Sequence, residues 1–205
     1  MIVLTEGPFG DAVGAALARR APAAITLGRL TAACDDMLAR VATASFVAVA
    51  TWRPYDVECD RLDEACWRAR VPWSAAFLWE NRLYCGPAIV PPHGPCYACF
   101  RRRALTHQRA PERELAVLRA YRQNRSMGPS GFVTPLVWLA ASALQEDACS
   151  PTVGRLRYLN VITGEMSDTR VVRVHACPRC GGDLGDRPGE RFVGRLVPAV
   201  QELLP

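Results

Sequence analysis

The stretch GPCYACF, residues 94–100, carries two cysteines in a C-x-x-C spacing directly before a run of arginines. A second pair with the same spacing lies in CPRCGG, residues 177–182. Each pair sits at a turn signal, with a proline before the first and two glycines after the second. A two-residue spacer lets both sulfurs of a pair face one ion, so two pairs can supply a tetrahedral thiolate site. The sequence therefore predicts that one metal ion joins two distant segments of the chain.

We expect this site to hold a structural zinc ion, because four thiolates leave no ligand position for water or substrate. The predicted ligands are Cys96, Cys99, Cys177 and Cys180. The alternative is two unrelated pairs or redox dithiols, which begin a helix after a strand and have a lowered thiol pKa. CPRCGG lacks a helix signal behind it, whereas GPCYACFRRR leaves the redox alternative open for the first pair.

The other cysteines are expected to be core or chance residues, since buried cysteine behaves as a small hydrophobe. They are Cys34, Cys59, Cys66, Cys85 and Cys149. His175 lies close to the second pair and is a further candidate ligand, although a position beside the ligands or at the surface fits it better. The total of 9 cysteines is odd and irregularly spaced, which argues against a disulfide framework.

The composition is that of a globular chain that folds as one domain, with 205 residues of which 50% are hydrophobic. All 25 basic residues are arginine, and the net charge of +5 is too diffuse to indicate nucleic acid. No apolar run reaches the roughly 18 residues of a membrane helix. The N-terminus MIVLTEGPFGD lacks the basic start of a signal peptide. We expect a cytoplasmic protein without a membrane or nucleic-acid partner.

Residues 1–92 alternate between strand and helix patterns. MIVLTEG, AAITLG and SFVAVATW have strand character, and VGAALARR, CDDMLARVATA and VECDRLDEACWRAR have helical spacing. Asp35 or Asp36 would favour the start of the second helix. WSAAFLWENRLYCGPAIV then indicates a strand followed by extended chain. Such strand–helix repetition predicts a parallel sheet with helices on its faces, a Rossmann-like arrangement.

Residues 93–205 have a different pattern. RRRALTHQRAPERELAVLRAYRQN is predicted to be helical on both sides of Pro111. TPLVWLAASALQEDA is an apolar helix pattern with Thr134 as N-cap and Pro135 at its first position. GRLRYLNVITGEMSDTRVVRVHA predicts a hairpin whose turn is TGEMSD, with Gly164 in it. The tail RFVGRLVPAVQELLP is expected to form a final short helix.

Taken together, these patterns resemble the ThiF-like fold of ubiquitin-activating enzymes. More specifically, the chain resembles the ThiF-like cyclodehydratase partner protein of thiazole/oxazole-modified microcin (azole RiPP) biosynthesis. GPCYACFRRR and CPRCGG carry the resemblance, and the N-terminal half matches in pattern rather than in letter. The resemblance implies an α/β, degenerate Rossmann-like fold in one domain, residues 1–205, whose four-cysteine zinc site joins two distant segments.

The resemblance also implies a non-catalytic, zinc-bound scaffold or activator subunit of a peptide cyclodehydratase. In that family an ATP-using YcaO partner converts Cys, Ser and Thr of a ribosomal precursor peptide to azolines. The implied partners are the YcaO subunit, the precursor peptide, an FMN-dependent dehydrogenase and a second copy of the chain. The apolar segment VWLAASALQ, residues 137–145, is the candidate dimer face, and an ordinary core helix is the alternative.

The segment GPFGDAVG departs from the adenylating members of the family. Those enzymes need a phosphate-binding GxGxxG after the first strand. Here Phe9 stands inside the loop, Asp11 would repel phosphate, and the chain has no lysine. We interpret the segment as a Rossmann turn that has lost its nucleotide, so no catalytic or cofactor-binding residue is predicted. The alternative function is a ThiF-type, ATP-dependent enzyme that adenylates a carboxylate of a peptide or carrier protein.

No N-terminal winged-helix module for leader binding is evident, so leader capture would use another subunit or another surface. The arginine-rich residues 101–125 are one candidate surface for an acidic leader or partner, and a solvated helix is the alternative. Their candidate arginines are Arg101, Arg102, Arg103, Arg109, Arg113, Arg119 and Arg122. A zinc-containing nucleic-acid-binding protein is a third hypothesis, but the two cysteine pairs lie too far apart for known finger modules.

Overall fold

The computed structural model describes residues 1–21, 24–31, 40–108, 110–129 and 131–181. Its strands are β1 (Ile2–Glu6), β2 (Thr26–Arg29), β3 (Val47–Thr51), β4 (Trp73–Trp79), β5 (Arg82–Cys85), β6 (Arg155–Asn160) and β7 (Met166–Arg170). Its helices are α1 (Gly7–Arg20), α2 (Asp56–Ala69), α3 (Tyr97–Thr106), α4 (Pro111–Gln123) and α5 (Thr134–Cys149). All seven strands join one mixed sheet in the order β2-β1-β3-β4-β5-β6-β7.

The sheet has a parallel half and an antiparallel half. Strands β2, β1, β3 and β4 pair in parallel, which confirms the parallel sheet expected for this part of the chain. Strands β5, β6 and β7 extend the sheet in antiparallel fashion. Strand β1 lies between β2 and β3, so the strand order reverses at β1. The carboxyl ends of β1 and β3 therefore form the crevice where open α/β sheets bind ligands.

Helices cover both faces of the sheet, because alternate side chains of each strand point in opposite directions. Leu4 and Val49 point to the face covered by α2, α3 and α4. Val3 and Ala48 point to the opposite face, where α1 and α5 pack. All five residues of β3 are buried, as expected for a strand in the middle of a sheet covered on both sides.

Helix α1 begins directly at Gly7, so the prediction of a glycine-rich loop at GPFGDAVG is wrong. A Cβ atom on Gly10 would lie 2.2 Å from the carbonyl oxygen of Ala50. A Cβ atom on Gly14 would lie 2.7 Å from the side chain of Thr5. Glycine is required at these positions because α1 packs closely against β3 and β1.

Two further boundaries differ from the sequence expectation. Thr134 is the first residue of α5, its cap residue is Val133, and no side chain caps that helix. The hairpin is confirmed, but β7 begins at Met166, so residues 161–165 form the turn with Gly164 at a φ of 73°. The expectations for Cys34, Asp35, Asp36, Arg109 and the C-terminal helix lie outside the described residues.

Helix α5 is a core helix along its inner side. Its buried residues, among them Val137 and Leu144, pack in the cluster that α1 and strands β3 to β5 also line. Trp138 and Leu139 lie on its outer side and are 43% and 40% exposed. That this helix forms an interface with a second copy of the chain stays a prediction. No helix in the described part of the chain is long and apolar enough to cross a membrane.

We predict that Gly10→Ala lowers the free energy of unfolding, although alanine is favoured over glycine in a helix by about 1 kcal/mol. The new methyl group meets backbone rather than a movable side chain, so we expect a net loss of about 2 kcal/mol. The matched control is Gly131→Ala, whose Cβ atom would meet nothing within 4 Å. Urea denaturation of both variants measures the difference, and equal stabilities would contradict the close packing of α1.

Candidate metal centre

The structure brings together the four cysteines that the sequence singles out. The sulfurs of Cys96, Cys99, Cys177 and Cys180 all lie within 4.8 Å of one another, and all four residues are buried. Across the two pairs, the Sγ–Sγ distances are 3.5 Å from Cys96 to Cys177 and 3.3 Å from Cys99 to Cys180. A tetrahedral zinc ion with Zn–S bonds of about 2.3 Å requires sulfurs about 3.8 Å apart. The cluster is therefore positioned to hold a metal ion.

Each pair is shaped by its own turn. Cys96 precedes α3 and Cys99 lies in its first turn, where the Cys99 amide donates to the Cys96 carbonyl at 3.1 Å. In the second turn the Gly181 amide donates to the Cys177 carbonyl at 2.8 Å. A Cβ atom on Gly181 would lie 2.7 Å from that carbonyl oxygen, so the turn requires glycine. The Val174 amide also donates to the Cys99 sulfur at 3.3 Å.

Three of the thiols have shifted pKa values. Burial raises the pKa of Cys96, and it raises the pKa of Cys180 to about 12. Burial acts in the same direction at Cys177, but amide donors from Cys180 and Arg179 outweigh it and lower that pKa to about 7. A bound cation deprotonates coordinating thiols. The two pairs form one cluster, so the alternative of unrelated pairs is not supported.

Asp63 connects the two cysteine turns through a carboxylate that is 0% exposed. It accepts hydrogen bonds from the Trp73 indole at 3.0 Å and from the Tyr97 amide, next to Cys96, at 3.1 Å. Arg179, between the two cysteines of the second pair, reaches it at 2.6 Å and also binds Asp60 at 2.9 Å. Burial raises the pKa of Asp63, and these donors oppose that shift. One carboxylate therefore links α2, β4 and both cysteine turns.

Asp63 does not stand out in the sequence, because an acid in the amphipathic pattern DRLDEACW is ordinary for a solvated helix. The one available signal is Arg179, a charge placed between two buried cysteines and therefore in need of a buried partner. The expectations for three of the other cysteines and for His175 agree with the structure. Cys59, Cys66 and Cys85 are buried, and His175 is exposed and outside the cluster.

An aromatic side chain lies at the carboxyl ends of β1 and β3. Trp52 follows β3 directly, and a Cβ atom on Gly7 would lie 2.2 Å from its indole ring. On another side, a Cβ atom on Gly128 would lie 2.7 Å from the ring. The indole also donates to the Tyr55 hydroxyl at 3.0 Å. The ring therefore packs against the start of α1, at the edge of the sheet where open α/β folds bind ligands.

Several candidate arginines of residues 101–125 serve the fold. Arg101 forms an ion pair with the buried carboxylate of Asp56 at 2.9 Å, and Arg122 binds the same group. Arg103 donates to the backbone carbonyls of Val172 and Arg173 at 2.7 and 2.8 Å. These contacts tie α3 and α4 to α2 and to the chain after β7. Arg102, Arg113 and Arg119 face solvent, and the Arg122 side chain stays 47% exposed despite its ion pair.

Comparison with known proteins gives a match only at the level of structure. No family model and no curated protein sequence matches the chain. A heterocyclase solved in complex with substrate and cofactor superposes with a TM-score of 0.59 at 16% identity, over 88% of this chain and 25% of that one. The heterocyclase TruD gives 0.57 at 22% identity, over 88% and 27%. Escherichia coli MccB gives 0.56 at 16% identity, over 82% and 49%.

The chain has a heterocyclase-related fold. This agrees with the cyclodehydratase resemblance drawn from the cysteine motifs. The chain spans about a quarter of the length of the two heterocyclases and about half that of MccB. At these sequence identities, the structural likeness establishes the fold alone.

We predict that Asp63→Asn lowers the free energy of unfolding by about 3–5 kcal/mol, because it breaks a buried ion pair and leaves Arg179 with one exposed partner. Glu64→Gln is the matched control on the same helix. It removes an exposed pair with Arg68, which contributes about 0.5 kcal/mol at most. Urea denaturation compares the two, and similar small losses would show that Asp63 does not hold the cysteine turns together.

Proposed function

We propose that this chain is a non-catalytic, zinc-bound scaffold or activator subunit of a peptide cyclodehydratase. In this proposal an ATP-using YcaO partner converts Cys, Ser or Thr of a ribosomal precursor peptide to azolines, and this chain helps to bind the peptide. The observation that carries the proposal is the likeness to two heterocyclases over 88% of the chain. An FMN-dependent dehydrogenase and a second copy of the chain are the further partners that this role implies.

Zinc is the metal that the donor set favours. Four cysteine sulfurs match a structural zinc site, and Zn²⁺ is redox-inactive and has no geometric preference that would distort the tetrahedron. When bound, the ion would supply folding energy rather than chemistry, since the four sulfurs leave no open position. Reduced thiolates as ligands also suit the cytoplasm, where disulfides are rare.

A non-catalytic role is supported by the start of α1. Trp52 packs against Gly7 there, α1 begins without a phosphate-binding loop, and no lysine is available to offset triphosphate charge. MccB, whose structures include one with ATP, is the comparison that favours an adenylating enzyme instead. That alternative is weaker, because a phosphate group approaching Gly7 would meet the indole of Trp52.

We predict about one zinc ion per purified chain, and loss of most of it in Cys177→Ser, because the variant removes one of four ligands. Since metal binding and folding are coupled, its melting temperature should fall as well. Cys149→Ser is the control, as Cys149 is exposed and outside the cluster. Mass spectrometry of the metal content reads the outcome. A zinc-free wild-type chain, or equal zinc in both variants, would contradict the assignment.

The proposed function is tested by reconstitution. The chain is mixed with a YcaO protein from the same organism, Mg-ATP and the precursor peptide, and loss of one water per ring is followed by mass spectrometry. We expect ring formation to be much faster with the chain than without it, and Cys177→Ser to reduce this stimulation. Equal rates with and without the chain would contradict the proposal. A peptide adenylate formed by the chain alone would favour the adenylating enzyme.

A further inference from the structure

A groove of about 400 Å³ runs along α5, between that helix and strands β5 to β7. One wall is a stripe of α5 in which Leu139, Ala143 and Glu146 follow one another at helical spacing. The strands supply the floor and the other wall. Their apolar side chains in the groove are Leu83, Leu159 and Met166. The groove is therefore apolar at the end near the turn of the β6–β7 hairpin.

The groove exists because the helical layer on this face of the sheet ends before the sheet does. Helices α1 and α5 form that layer, and α5 packs on β3, β4 and β5. In the described part of the chain, no further helix lies over β6 and β7 on this face. Met166 of β7 is consequently 66% exposed. Because helices and sheets pack in layers, a helix beside α5 is the element that would complete this face.

The other end of the groove carries charges that compensate one another. Arg155 forms ion pairs with Glu146 at 2.5 Å and with Asp168 at 2.8 Å. Arg157 forms ion pairs with Glu146 at 2.6 Å and with the buried Asp147 at 2.5 Å. Each carboxylate of the lining thus has an arginine partner. The groove itself therefore offers an occupant apolar contact rather than a free charge.

Arginines without a carboxylate partner lie around the groove. Arg19 and Arg20 lie over the exposed ring of Trp138, 5.8 and 5.7 Å from its centroid. Arg20 also donates to the hydroxyl of Ser142, which lines the groove, at 3.1 Å. The register of β6 with β7 places Arg170 on the same face of the sheet. None of these three arginines forms an ion pair with a carboxylate of the described residues. Acidic side chains of an occupant would be attracted to this rim.

We propose that this groove is the docking site for an amphipathic helix of the YcaO partner, one that carries apolar residues one turn apart and acidic residues beside them. The inference rests on the proposed function, because it takes its partner from there. A helix in an apolar groove contacts it through residues spaced as i, i+3, i+4 and i+7. The stripe from Leu139 to Glu146 is about 10 Å long, which corresponds to two helical turns.

A second copy of the chain fits this surface less well. In a twofold interface the same patch of both copies faces itself. Arg19 and Arg20 of one copy would then lie near the same arginines of the other copy, and like charges repel. The charge around the groove therefore favours an acidic partner of different sequence.

The test is titration calorimetry of the full, zinc-loaded chain with the YcaO protein from the same organism. Leu139→Asp and Met166→Asp should each weaken binding by about tenfold or more, because each places a charge in an apolar contact. Arg20→Glu should weaken binding by about fivefold at low salt and by less at high salt, since it reverses an exposed charge. Leu115→Asp is the matched control. Leu115 is 40% exposed, as Leu139 is, but it lies on α4 at the other face of the sheet.

Weakened binding by the groove variants, with a change of less than about twofold for Leu115→Asp, supports the proposal. Unchanged binding by Leu139→Asp and Met166→Asp, or an equal loss in the control, would overturn it. A large fall in the melting temperature of both groove variants would overturn it too, since the chain itself would then already cover the groove. Loss of self-association of both variants in light scattering would assign the groove to a second copy instead.

Ring formation separates this proposal from the proposed function. If Leu139→Asp and Met166→Asp accelerate ring formation as well as the unmodified chain does, the groove is rejected and the proposed function stands. If the YcaO protein binds through the groove but ring formation is not accelerated, the docking site stands and the proposed function is rejected.

Discussion

The contact between the two cysteine turns is the constraint on which the second half of the chain depends. It joins Cys96 and Cys99 to Cys177 and Cys180, and the loop that it closes contains α4, α5 and the hairpin of β6 and β7. Closing a long loop has an entropic cost that a metal ion and the buried Asp63 would together offset. The hairpin is also held by the pairing of β6 with β5 and by ion pairs of Arg155 and Arg157 with α5.

The two halves of the sheet have different relations to ligands. In the parallel half, Trp52 packs against Gly7 at the start of α1, and that helix begins directly after β1. In the antiparallel half, a cavity lies between α3 and strands β5 to β7.

The sequence predicts the structural features that depend on neighbouring residues, and it does not predict those that depend on contacts between distant residues. The strands and the cysteine turns were predictable, because apolar runs and the CPxC spacing express local chemistry. The start of α1 was missed, since Gly10 reads as a loop residue until its contact with Ala50 is known. Asp63 and the pairing of Arg101 with Asp56 depend on groups far apart in the sequence, so an amphipathic pattern could not distinguish them from solvated charges.

The measurement that tests the account most directly is titration calorimetry of the purified, zinc-loaded chain with Mg-ATP. A scaffold that lacks a phosphate-binding loop and a lysine predicts no detectable binding heat at millimolar nucleotide. Saturable binding of one nucleotide per chain would contradict the account. The adenylating enzyme would become the better explanation, with an arginine in place of the missing lysine.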